Sequence, residues 1–177
     1  MRFHETPVHG AFLLEPALIP DDRGSFAEAF HASLFAARGL DTQIAQVNIS
    51  YNDLRHTLRG LHYQTAPHEE TKIVRCVRGS VFDVVLDIRR DSPTYGQWHG
   101  VELTADNRLG LYVPKGCAHG YQTLEDKTEV HYLVSTYYAP THYRGVRWND
   151  PQFGIRWPDA PTRHLHPRDD AYPDFPR

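Results

Sequence analysis

The chain has 177 residues, with 19 Lys+Arg against 22 Asp+Glu and a net charge of -3, which is length enough for one domain with a proper hydrophobic core. A composition of 40% hydrophobic and 23% charged residues excludes a disordered or fibrous chain, and the weakly acidic balance argues against general affinity for nucleic acid or an anionic membrane. Two cysteines, Cys76 and Cys117, are too few for a disulfide framework, whereas 12 histidines raise the question of metal binding or proton transfer.

Residues 1–5 contain no apolar stretch of signal-peptide length. Every later apolar run is broken by charge before the about 18 residues a membrane helix needs. A reducing, cytoplasmic setting and no membrane partner are therefore expected. Residues 27–38 (AEAFHASLFAAR) place apolar side chains at helical spacing and are followed by Gly39, a C-terminal stop, so a short helix is predicted there. Residues 72–89 (KIVRCVRGSVFDVVLDIR) predict two strands joined by a tight turn at Arg78-Gly79-Ser80, because glycine accepts the positive φ of hairpin turns. Short β-like runs recur at 100–103, 108–113, 120–124 and 129–135, separated by Asp91-Ser92-Pro93 and Pro114-Lys115-Gly116. Many short strands at such spacing predict a single all-β domain, a sandwich or barrel. From Pro158 onward the chain is polar and rich in proline, and composition alone reads as a mobile tail.

The strongest local motif is Pro114-Lys115-Gly116-Cys117-Ala118-His119-Gly120. Its P-x-G-x-x-H form resembles the second motif of the cupin superfamily, double-stranded β-helix (jelly-roll) barrels whose interior holds a ligand or a metal. The first cupin motif supplies H-x-H followed by Glu. Here it reads His62-Tyr63-Gln64, with Glu69 and Glu70 beyond, so Gln64 stands where a second imidazole is needed. A catalytic metal wants at least three good protein ligands, and neither a metal nor another cofactor is expected. In a regular strand over residues 57–64, Leu58, Gly60, His62 and Gln64 share one face, with Arg59 and Leu61 on the other unless a bulge re-aims one. An imidazole in a barrel mouth suits proton transfer near neutral pH.

Further motifs occur in order: Asp22-Arg23-Gly24-Ser25-Phe26-Ala27-Glu28, Gln46-Val47-Asn48-Ile49-Ser50, Leu58-Arg59-Gly60-Leu61-His62-Tyr63-Gln64 and Lys72-Ile73-Val74-Arg75. They are followed by Ser92-Pro93-Thr94-Tyr95-Gly96, Val113-Pro114-Lys115-Gly116, Ala118-His119-Gly120 and Arg147-Trp148-Asn149-Asp150-Pro151. Together, over nearly the whole chain, they resemble the dTDP-4-dehydrorhamnose 3,5-epimerase family of metal-independent cupins. The resemblance implies a jelly-roll barrel with short N-terminal and C-terminal helices, whose segment 158–177 closes on the site. It implies an isomerase acting on a nucleotide-linked 4-keto-6-deoxy sugar. The C4 ketone acidifies the protons on C3 and C5, so a base can remove one and an acid can return it from the opposite face. His62 matches the family's base and Tyr132 its proton donor. Lys72 matches the residue that stabilises the enolate oxygen, and Asp169 the carboxylate that pairs with the base histidine.

The same resemblance implies ligand contacts at Arg23, Phe26, Glu28, Gln46, Asn48, Arg59, His119, Tyr138, Tyr143 and Arg168, and a homodimer that exchanges strand segments. Arginines suit the diphosphate of a nucleotide because a guanidinium binds it through paired hydrogen bonds. The chain also departs from the family pattern: Leu133 stands where Lys is frequent, Tyr143 where Glu is usual, and Arg168 replaces Lys. These departures fall among ligand contacts and leave open the nucleotide and the choice of C3, C5 or both. Two alternatives stay open: a single-centre epimerase of a GDP-, CDP- or UDP-linked sugar, and a catalytically silent sugar-nucleotide binding module.

Overall fold

A computed structural model describes residues 1–176. One sheet contains β1 (Arg2–Glu5), β2 (Phe12–Glu15), β5 (Gln46–Asn52), β7 (Lys72–Arg78), β10 (Gly110–Val113) and β12 (Thr128–Val134), in the order β1-β2-β10-β7-β12-β5. The second contains β6 (Thr57–Gln64), β8 (Ser80–Asp87), β9 (Trp98–Thr104), β11 (Cys117–Thr123) and β13 (Tyr143–Gly145), in the order β13-β6-β11-β8-β9. A two-residue strand, β14 (His164–Leu165), runs parallel to β6, and β3 (Ile19–Asp21) with β4 (Gly24–Phe26) forms a separate hairpin. The helices are short, α1 (Ala32–Ala36) and α2 (Pro167–Asp170). The architecture is the expected all-β jelly roll.

Alternation along the strands fills the space between the sheets. Val74, Cys76, Leu111 and Val130 of the first sheet pack against Val81, Val85, Leu103 and Tyr121 of the second. The opposite side of the second sheet is covered as well, with Leu58, Leu61, Val84 and Leu86 packed beneath Val146, Phe153 and Trp157. Phe35 of α1 covers Leu14, Ile73 and Tyr112 on the outer side of the first sheet. Burial of each such side chain stabilises the fold by about 1.5–3 kcal/mol before chain entropy is counted.

Two sequence expectations need correction. Residues 72–89 do form two strands about Gly79, whose φ is +71, but they are not a hairpin. β7 pairs with β10 and β12 while β8 pairs with β9 and β11, so the chain passes from one sheet to the other at Gly79. A Cβ there would meet Thr128 Oγ1 at 2.5 Å, so the corner needs glycine for space as well as for φ. The predicted helix over 27–38 shrinks to Ala32–Ala36 because the carbonyl of Ala29 accepts from Arg75 NH2 (2.8 Å) and not from a helical N–H. Its end is as expected: Gly39 has φ +68, and Leu40 N–H returns to the Phe35 carbonyl at 3.1 Å.

The Pro-rich segment is fastened over the second sheet. Arg163 donates from Nε to Gln122 Oε1 (2.8 Å) and lies 4.8 Å from the ring centre of Trp148. Asp150 accepts from the amide of Phe175 at 2.6 Å. Among the described residues no helix is long and apolar enough to cross a membrane.

Candidate active site

The site begins with a one-residue bulge. His119 of β11 stands opposite His62 of β6, but Tyr121 stands opposite Arg59, so the single residue Gly120 faces both Gly60 and Leu61. The extra residue reverses the alternation. Arg59 and His62, three apart, both reach one cavity, while Leu58 and Leu61 both turn into the core on the other side. The regular-strand assignment of Arg59 to the opposite face from His62 is thereby corrected. Gly60 has φ +113, and a Cβ on it would come within 2.7 Å of both Gly120 Cα and the His119 carbonyl oxygen. A Cβ on Gly120 would meet the Arg59 carbonyl at 2.7 Å. Backbone presses on backbone here, and no side chain fits.

The cavity holds about 370 Å³ between the two sheets. The second sheet supplies Arg59, His62, His119 and Tyr121. The first supplies Lys72, Tyr132 and the inward residues of β5, namely Gln46, Asn48 and Ser50. Tyr138, Tyr143 and Arg168 complete the lining.

His62 Nε2 lies 2.8 Å from Asp169 Oδ1, and the other oxygen of Asp169 accepts from the Gly60 amide at 3.1 Å. α2 delivers this buried carboxylate; its N-cap, His166, accepts from the Arg168 amide. For Asp169, burial works to raise the pKa. The hydrogen bond and charge of His62, the Gly60 N–H and Arg168 outweigh it and hold the carboxyl below its usual range. An ionised Asp169 places the imidazole proton on Nε2 and leaves the Nδ1 lone pair available. Burial depresses the pKa of His62, Asp169 offsets part of that, and Lys72 and Arg168 lower it again. The imidazole is neutral at pH 7 and can accept a proton.

Tyr132 lies across the cavity. Burial raises its phenol pKa, as does the charge of Glu70, against a smaller opposing effect of Arg59. It stays protonated and can donate. The Lys72 ammonium donates to the His62 carbonyl at 3.4 Å and pairs with Glu70 Oε1 at 3.3 Å. His119 Nε2 lies 2.8 Å from Asp83 Oδ1, forming a second buried imidazole–carboxylate pair. Arg59 is aimed by Asn52 Oδ1, which accepts from its Nε at 2.7 Å. Tyr143 lines the cavity beside His62. Its ring centre is 5.0 Å from that of His62, and the Arg168 guanidinium lies 5.0 Å from the centre of the Tyr143 ring.

A sequence model of the dTDP-4-dehydrorhamnose 3,5-epimerase family matches residues 5–176. The chain belongs to this family. A relative of that name from Sinorhizobium fredii is 40% identical over 175 residues, covering 99% of this chain and 90% of the relative. The crystal structure of the Bacillus anthracis dTDP-4-dehydrorhamnose 3,5-epimerase with TDP and pyrophosphate bound has a TM-score of 0.93. It is 41% identical and covers 98% of this chain and 99% of that one. A 3'-monoepimerase from Streptomyces bikiniensis, in complex with dTDP-quinovose, has a TM-score of 0.88 at 37% identity, covering 96% of this chain and 86% of that one.

Against the epimerase family's pattern, the cavity brings together His62, Tyr132, Lys72, Gln46, Asn48, Arg59, His119, Tyr138, Tyr143 and Arg168, with Asp169 directly behind His62. It does not bring in Arg23, Phe26 or Glu28, which are exposed on and just beyond the β3–β4 hairpin. Arg23 instead pairs with Asp21 at 2.6 Å. Sequence reasoning missed Ser50, Tyr121 and the place of Glu70; alternation along β5 from Gln46 would have found Ser50. The donor set does not suit the metal of other cupins. Gln64 spends its amide on the His68 and Tyr137 carbonyls, on Glu70 and on the Ala139 N–H, and both cavity histidines turn Nε2 to a carboxylate.

Proposed function

We propose that the cavity inverts C3, C5 or both of a dTDP-linked 4-keto-6-deoxy sugar. His62 Nδ1 takes the proton from carbon, the electron pair moves onto the C4 oxygen, and Tyr132 returns a proton to the same carbon from the other face. The observation that carries this reading is the placement of a neutral, carboxylate-backed imidazole and a protonated phenol on opposing sheets of one cavity. Inversion needs donor and acceptor on opposite faces of the sugar; two groups on one wall could only exchange. Lys72 is the donor for the enolate oxygen, where preorganised positive charge gives a large share of the rate enhancement, and His119 is a polar contact beside the sugar. Arg59 and Arg168 suit the diphosphate, with Gln46, Asn48 and Tyr138 as contacts to the nucleoside or sugar.

The dTDP moiety is supported by the solved relatives, whose bound groups are TDP and dTDP-quinovose. A homodimer is supported by β5. Its inward residues are polar, while Val47, Ile49 and Tyr51 alternate outward and are 63%, 65% and 43% exposed. In that dimer Arg23, Phe26 and Glu28 serve the partner's cavity.

Proton exchange in D₂O tests the reaction. With dTDP-4-keto-6-deoxyglucose, NMR should show enzyme-dependent deuterium at C3, C5 or both, and the labelled positions give the regiochemistry. His62→Asn should abolish incorporation, because the base is lost. Tyr132→Phe should suppress net inversion more than initial deprotonation. Absence of exchange with the wild-type protein would overturn the reading.

A further inference from the structure

The two histidines and the lysine of the cavity are each paired with a carboxylate: His62 with Asp169, His119 with Asp83 and Lys72 with Glu70. The third pair has no place in the reaction scheme above. Glu70 is carried by the connection between β6 and β7, and its side chain is only 10% exposed. Its oxygens are divided between two partners. Oε1 lies 3.3 Å from Lys72 Nζ, and Oε2 accepts from Gln64 Nε2 at 3.3 Å. Gln64 is itself immobile: it is fully buried, donates to the His68 carbonyl at 2.9 Å, and accepts from the Ala139 amide at 2.6 Å. The carboxylate is therefore fixed from behind and offers its front oxygen to the ammonium.

Lysine needs such help. Its charge sits at the end of a flexible four-carbon stem with three equivalent donors. Glu70 and the His62 carbonyl take two of the three N–H groups, which leaves one for a ligand. Lys72 also shares the cavity with His62, Glu70 and His119, positions that match metal-ligand positions of the cupin motifs. We propose that Glu70 is a positioning residue for the reaction: braced by Gln64, it holds the Lys72 ammonium as the cavity's resident cation, with one N–H free for the oxygen that becomes the enolate. The proposal rests on the reading that Lys72 stabilises that enolate. It also explains why an anionic side chain lines a cavity meant for an anionic nucleotide. Glu70 opposes ground-state binding of the diphosphate and is kept for the step that follows.

That trade-off separates positioning from mere support of the fold. Deuterium exchange kinetics should be measured for Glu70→Gln, Glu70→Asp, Lys72→Met and the Glu70→Gln/Lys72→Met double variant. Glu70→Gln should lower kcat by about tenfold to a hundredfold, less than the loss of a whole oxyanion donor, with KM unchanged or reduced. Glu70→Asp keeps the charge and the fold but withdraws the oxygen, and should lie between wild type and Glu70→Gln. In the Lys72→Met background the Glu70→Gln change should alter kcat less than twofold. An undiminished kcat in Glu70→Gln, or an equal loss with and without Lys72, would overturn the role of Glu70. Full activity of Lys72→Met would instead overturn the reading of Lys72, leaving the base and acid assignments standing.

Discussion

At the residue scale, His62 is subject to two opposing effects, and their balance decides when the site works. Burial favours the neutral imidazole, Asp169 favours the cation, and burial prevails. With His62 as the proposed base, protonation should abolish its action, so kcat/KM should fall only as the pH drops below the ordinary histidine value of about 6.5. Asp169→Asn deletes the opposing effect, so the acid limb should move to still lower pH. The rate should fall by about 10²–10⁴-fold, because the imidazole loses the partner that fixes its tautomer. A pH–rate profile of exchange checks both; an acid limb that moved upward would show that Asp169 does not govern His62. His62 and Lys72 could be singled out in the sequence because each sits in a multi-residue motif, whereas Tyr132 lies outside those motifs and was reached only through the family resemblance. Asp83 could not be given a role there. Its partner His119 is 36 residues away, and only the β8–β11 register, with Tyr121 opposite Asp83, brings them onto one face. Glu70 was visible only as a possible metal ligand, because nothing local shows an ammonium beside it.

At the element scale, the decisive feature is the bulge. Alternation along β6 puts Arg59 and His62 on opposite faces, and nothing in β6 alone overrules it. The reversal depends on Gly120 in β11, a strand distant in the sequence, and on the mutual contact of two glycines. Gly60→Ala forces a Cβ against backbone at 2.7 Å and at φ +113. It should cost about 2–4 kcal/mol, as overpacking against immovable atoms and a positive φ combine, and urea denaturation measures this. The activity of the remaining folded protein should also fall, since Arg59 and His62 no longer share a wall; a stable, fully active variant would mean the bulge is dispensable. The same non-locality explains the false hairpin at Gly79. The turn chemistry was legible there, but the strands' partners lie elsewhere, because the buried faces of β7 and β8 meet across the interior and not side by side.

At the scale of the whole molecule, an all-β domain of two sheets was legible from strand spacing, and its jelly-roll connection from the motifs. The sequence also carries, in β5, a strand of inverted sense with polar residues inward and apolar residues outward. It reads as ordinary alternation until the sheets show which side is the cavity. If a second copy covers that outer face, Ile49→Asp should give a monomer by analytical ultracentrifugation where the wild type is a dimer. Exchange activity should fall with it, because Arg23, Phe26 and Glu28 are no longer supplied across the interface. An unchanged mass would place the contact elsewhere. β5 is at the same time the edge of its sheet, with an apolar flank and backbone groups free to pair, which is the template for runaway association. Assembly is then also a form of protection: by mass action, a more concentrated solution keeps the edge covered and raises the midpoint of thermal unfolding. Dilution would uncover the edge and lower that midpoint.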